Sequence, residues 1–147
     1  MDQCSSLAAV MAGGETEVFD RTDLTPRERL LAAFDKPATV TQDVTPLCPF
    51  IAAAVEIHDP QHPARQRAHD YKEAVAERLS ETAREAGATN PEQLGEQLAL
   101  LLDGASARTR ALNVETLATA ATIAAILIDN AIPTPEPATP RINHDGH

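Results

Sequence analysis

Apolar side chains recur at steps of three and four along most of this chain, the spacing that places them on one face of an α-helix. The longest run is Ala64, Ala68, Tyr71, Val75, Leu79, Ala83 and Ala86, while Arg65, Arg67, Asp70, Lys72, Glu73, Glu77, Arg78, Glu81, Arg84 and Glu85 fall on the opposite face. It predicts an amphipathic helix over 64–86, with Gly87 as its stop. Asn90-Pro91-Glu92-Gln93 reads as a capping box with proline at the first helical position, and it opens a helix over 91–108 with Leu94, Leu98, Leu101, Leu102 and Ala105 on one side. Upstream, Thr25-Pro26-Arg27-Glu28 is the same signal, followed by Leu30, Leu31 and Phe34. Lys36-Pro37 should end that helix, because the residue before a proline avoids the helical region. Residues 38–46 read as a loop. Cys48-Pro49-Phe50 then opens a short helix to Ile57, apolar almost all round and so predicted to be buried. Asp59-Pro60-Gln61-His62-Pro63 breaks it.

The last helix, over 114–132 with Asn113 as its cap, has a different character. From Thr116 to Ile128 it carries no charge and no polar face wider than a few threonines. Such a helix needs cover on more than one side, and in a chain of this size a second subunit is the natural cover. Gly104 costs about 1 kcal/mol relative to alanine inside a helix. With Ala105 and Ala107 beside it, it predicts close approach of another helix. The expected dimer face is Leu101, Gly104, Ala105, Ile123 and Leu127. At 13 residues the uncharged run is too short for a membrane span, which needs about 20. Pro133, Pro135, Pro137 and Pro140 predict a disordered tail over 133–147. Residues 1–23 are weakly patterned and read as an arm, leaving 24–132 as one domain.

Composition narrows the fold to all-α. Of 147 residues 27 are alanine and 3% are aromatic, without tryptophan. Small, straight side chains suit closely packed helices, whereas sandwiches and barrels lean on β-branched and aromatic residues. Twelve basic against 22 acidic residues give a net charge of −10, which argues against this chain alone gripping a phosphate backbone. Cys4 and Cys48 do not form a metal or redox spacing, and the first residues lack a basic, apolar leader pattern, so a reducing cytoplasm is the expected compartment.

Little in the chain suggests chemistry. His69 and Glu73 stand one turn apart with His62 upstream, a spacing that can share a metal, yet they lie on the charged face and read as solvated. His144 and His147 are a loose pair. Cys48 at a helix start could favour its thiolate, but it has no evident base nearby in sequence. Nucleophile-elbow, phosphate-loop and paired-carboxylate patterns are absent. The expectation is a protein without enzymatic activity, metal or cofactor.

Three segments carry a resemblance: Cys48-Pro49-Phe50-Ile51-Ala52-Ala53-Ala54-Val55-Glu56 with Asp59-Pro60, His62-Pro63 and Arg65 after it; Leu98-Ala99-Leu100-Leu101-Leu102-Asp103-Gly104-Ala105; and Leu24-Thr25-Pro26-Arg27-Glu28-Arg29-Leu30-Leu31 to Phe34-Asp35. In order and spacing, over 24–132, they resemble the C-terminal half of TetR/AcrR-type transcriptional regulators. The resemblance implies an all-helical domain that dimerises through its last two helices and senses a small apolar or aromatic effector. Phe50, Ala54, Tyr71, Val75, Leu98 and Leu102 are the residues that would line the effector pocket. It departs from the family in three ways. Nothing in 1–23 resembles the helix-turn-helix, so DNA contact is expected only through a part this chain lacks. Leu47 stands where glycine often precedes the cysteine, and Pro37 cuts one wall of the pocket. The alternative expectations are a module that pairs with full-length relatives, or a decayed remnant.

Overall fold

The computed structural model describes residues 17–35 and 55–134. Within them the chain is all-helical: a 3-10 turn at Glu17–Asp20, then α1 (Pro26–Ala32), α2 (Pro63–Glu85), α3 (Pro91–Leu112) and α4 (Leu117–Ala131). No strand occurs among the described residues. The small helical bundle expected from the apolar spacing is what forms.

The ends of these helices follow from local chemistry. Thr25 and Glu28 close a full capping box on α1: the Glu28 amide donates to the Thr25 hydroxyl, and the Thr25 amide donates to the Glu28 carboxylate at 2.8 Å. The helix stops at Ala32, earlier than the sequence predicts. The amides of Phe34 and Asp35 instead donate to the carbonyls of Leu31 and Ala32, a tightened turn that carries Phe34 into the core. α2 begins on His62, whose Nδ1 accepts from the Ala64 amide at 3.1 Å, with Pro63 at the first position. It ends in a Schellman motif. Gly87 takes φ +83°, its amide donates to the Arg84 carbonyl, and the Ala88 amide donates to the Ala83 carbonyl. Asn90 caps α3 through its side-chain oxygen, which accepts from the Gln93 amide.

Asn113 has a different role from the one expected. It does not open the last helix; it closes α3, in the left-handed region with φ 52°. Asparagine is among the few residues other than glycine that accept this conformation readily. The last helix starts three residues later, after Thr116.

α2 and α3 form an antiparallel hairpin and supply most of the core. Gly95 lies against Ser80, so close that an added Cβ would sit 2.1 Å from the serine hydroxyl and 2.7 Å from its backbone nitrogen. Eight residues away on each helix, Lys72 and Asp103 pair at 2.6 Å. The two contacts fix one register along the hairpin. Val75, Leu79 and Ala83 of α2 meet Leu94 and Leu98 of α3 in the core.

α4 packs beside this hairpin through Ala120, Ala124 and Ile128. Its far end is tied by Thr89, whose amide donates to the Ala131 carbonyl at 2.9 Å. α1 lies across the ends of α2 and α4. Leu30 is fully buried, and Arg29 and Arg27 pair with Glu85 and Asp129 at its edges. Residues 17–23 are not the loose arm that sequence suggests. Phe19 is 2% exposed in the core, Arg29 donates to its carbonyl at 2.8 Å, and the Arg78 guanidinium stands over its ring. Two cations therefore hold a segment too short to show a periodic pattern.

Two predictions follow from these contacts. Gly95→Ala should lower the urea midpoint by the equivalent of about 1–3 kcal/mol, the range for overpacking. Gly104→Ala should leave it unchanged or raise it, since a Cβ there meets nothing within 4 Å. Acidification should also weaken the helix starts. Glu28 is held below the ordinary carboxylate range, first by the Thr25 amide, and Glu92 by its own amide and then Arg84. A lowered folded value means the unfolded chain binds the proton more readily, so stability rises with pH. The contribution is complete above the ordinary carboxylate range and is lost as pH falls through the lowered values. Stability measured from pH 7 to pH 3 should fall less steeply in Glu28→Gln.

Candidate functional site

α3 is a helix with three faces. One side, with Leu94 and Leu98, packs into the core with α2, while Ala105 looks towards α4. The third side faces outwards. Between it and α4 runs an apolar groove of about 450 Å³, bounded by Gln97, Leu100, Arg108, Thr116 and Thr119. All five residues expected at a dimer face, Leu101, Gly104, Ala105, Ile123 and Leu127, line it. The sequence thus grouped residues that the fold does bring together, although they come from two helices.

Among the described residues nothing lies within 4 Å of the position a Cβ would take at Gly104. Within the chain the close approach belongs to Gly95. The signal that separates the two is position on the helix: Gly95 follows the buried Leu94 and lies under α2, whereas Gly104 lies on the outward side.

The floor of the groove is held by hydroxyls. Thr116, buried at the α4 start, donates to the Ala105 carbonyl at 2.7 Å, and its oxygen lies 2.6 Å from that of Thr109. These bonds fix the start of α4 on α3 without a side-chain cap for α4 itself. The upper walls carry apolar side chains in water. Leu100 is 71% exposed and Ile123 42%. α4 as a whole has one charged residue, Asp129, which pairs with Arg27. Among the described residues Arg108 is the single charge in the lining, and no carboxylate lies there.

The expected effector pocket is placed only in part. Phe50 and Ala54 lie outside the described residues, as do Cys48 and nearly all of the helix predicted over 49–57. Val75 and Leu98 are core residues; Tyr71 and Leu102 are half-buried and pack against that core. Among the acidic and imidazole groups, His69 Nδ1 stands 3.4 Å from Asp70 and 3.6 Å from Glu73, all three well exposed. Their arrangement is that of charged side chains on a solvated helix face. His62 is not with them; it caps α2. Among the described residues no helix is long and apolar enough to cross a membrane.

No protein-family model, curated protein or solved structure matches this chain. The groove and the outward side of α3 and α4 consequently carry the functional argument by their own geometry.

Replacing Thr116 tests the groove floor. Thr116→Val keeps the shape and removes the hydroxyl, so thermal unfolding should report a loss of about 1–2 kcal/mol from the unmade hydrogen bonds.

Proposed function

We propose that this chain is the dimerising regulatory core of a transcriptional regulator of the TetR type, and that α3 and α4 form its subunit interface. The observation that carries the reading is the outward face of these helices, where Leu100 and Ile123 stand in water at an apolar groove. Contiguous apolar surface of this kind marks an interaction site. Charge favours the same face. Copies carrying −10 each repel one another, and they can meet most cheaply where the lining lacks carboxylates. The transcriptional part of the reading comes from the segments that resemble the family. A small apolar or aromatic effector belongs to it, with Tyr71 and Leu102 at the edge of the site. DNA contact would require a helix-turn-helix from elsewhere.

Light scattering joined to size exclusion should give twice the chain mass at micromolar concentration. Ile123→Glu should give a monomer with unchanged helical circular dichroism, because that side chain is exposed in the single chain. A monodisperse wild-type monomer would remove the dimer. A salt-sensitive, sequence-selective DNA shift by this chain alone would contradict the assignment of DNA contact to another segment.

A further inference from the structure

The groove between α3 and α4 is chemically different at its two ends. α4 runs back along α3: Thr116 bonds to the Ala105 carbonyl near the end of α3, and Thr89, just ahead of α3, bonds to the Ala131 carbonyl. Gln97 and Leu127 therefore bound one end of the groove, and Arg108 and Thr116 the other. Arg27, Arg29, Arg78 and Arg84 each pair with a carboxylate of the chain. The Arg108 guanidinium has no ion pair or hydrogen bond among the described residues. It stands at the mouth of an apolar groove whose described lining holds no acid. A guanidinium presents its donors as a planar fork that matches the two oxygens of one carboxylate.

We infer that this groove binds a free monocarboxylate with a straight apolar chain, a fatty acid, its carboxylate on Arg108 and its chain running along α3 towards Leu127. Charge selects the head group. A single guanidinium matches a single negative charge, whereas a phosphate ester, with a charge of about −1.5 to −2, would find no second cation in the described lining. A cationic head group would meet Arg108 and no carboxylate. The apolar walls select the tail. Gln97 and Arg108 are eleven residues apart on one helix, about 16 Å along its axis. An extended hydrocarbon with C–C bonds of about 1.5 Å advances about 1.3 Å per carbon, so a chain of about ten to twelve carbons spans the groove. Its volume of about 450 Å³ lies within the range of small-molecule sites.

Gly104 gives such a chain its room. It lines the groove between the two ends, and a Cβ there would meet nothing within 4 Å among the described residues. A glycine at that point lets a ligand approach the helix backbone closely. Leu100 and Ile123, exposed in the single chain, then gain apolar contact with the tail. The site is separate from the effector pocket expected around Tyr71 and Leu102, neither of which lines the groove. It does not rest on the dimer reading, because the groove is formed within one chain.

Titration calorimetry of the full-length protein with decanoate, kept below its micelle-forming range, tests the site, with decanol as the uncharged chain of equal length. The wild type should bind one decanoate per chain, about tenfold or more tighter than decanol, as expected for hydrogen bonds to a charged group. Arg108→Gln should abolish that preference and leave decanol binding unchanged. Gly104→Leu should weaken both ligands with unchanged circular dichroism, because its side chain enters the groove and not the core. Equal binding of decanoate and decanol by the wild type, or an Arg108→Gln variant that keeps the preference, would overturn the carboxylate assignment. Full affinity in Gly104→Leu would overturn the groove as the place of binding. Light scattering on the same samples judges the dimer separately. A dimer that binds no decanoate would overturn this inference alone, and a monomer that binds it with the Arg108 and Gly104 dependence above would support it while removing only the dimer.

Discussion

The close approach of α3 to α2 at Gly95 is the contact on which the rest of the molecule is built. Backbone meets backbone there because no side chain stands between Gly95 and Ser80. That approach holds Val75 and Leu79 against Leu94 and Leu98, and the Schellman turn at Gly87 sets the point from which both helices run. α4 then adds its small inner residues, Ala120 and Ala124, to a surface already formed. A core this rich in alanine gains little from each buried side chain, since apolar burial stabilises roughly in proportion to area. Its larger contributions come from Leu79, Leu94, Leu98 and Ile128 of the three long helices, joined by Phe19, Leu30 and Phe34 from outside them. The N-terminal segments thus complete a centre that the close packing of the long helices begins.

Electrostatics reinforces this division. Arg29, Arg78 and Arg27 sit where the N-terminal elements meet α2 and α4, and each pairs with a carboxylate across that boundary or alongside it. These pairs are largely exposed and individually weak. Their joint effect is one of placement: a chain with almost twice as many acids as bases concentrates its arginines where a small, aromatic-bearing segment must be held. The outer face of α3 and α4 received neither arginine pairs nor carboxylates in its groove, and it is also where the large aliphatic side chains are exposed.

Helix starts were the most legible part of the sequence, because they depend on neighbours within four residues. Thr25 with Glu28 and the stop at Gly87 act as read, and Asn90 caps its helix through the Gln93 amide, one half of the box expected there. That Leu101, Gly104, Ala105, Ile123 and Leu127 share one surface was also legible, since apolar spacing on α3 and the uncharged body of α4 mark them. What could not be read was set by contacts far along the chain. Phe19 lies in a segment without periodicity, and its burial depends on Arg78, 59 residues away. Asn113 could chemically open a helix or close one, and only the position of α4 decides between them. The two glycines of α3 look alike in sequence, yet one is pressed against α2 and the other faces water.

That difference between Gly95 and Gly104 separates the inner from the outward side of α3. Each glycine inside a helix costs about 1 kcal/mol of helix stability relative to alanine. For Gly95 the single chain supplies the compensation, as any larger residue would push α2 and α3 apart. For Gly104 the described residues supply none: a methyl group there would meet nothing within 4 Å among them. The same helix exposes Leu100 one turn earlier, a second feature that favours no stability in an isolated chain. The helix that organises the core through Leu94, Gly95 and Leu98 therefore presents, on its other side, a glycine and a leucine for which the described contacts of the single chain give no stabilising role.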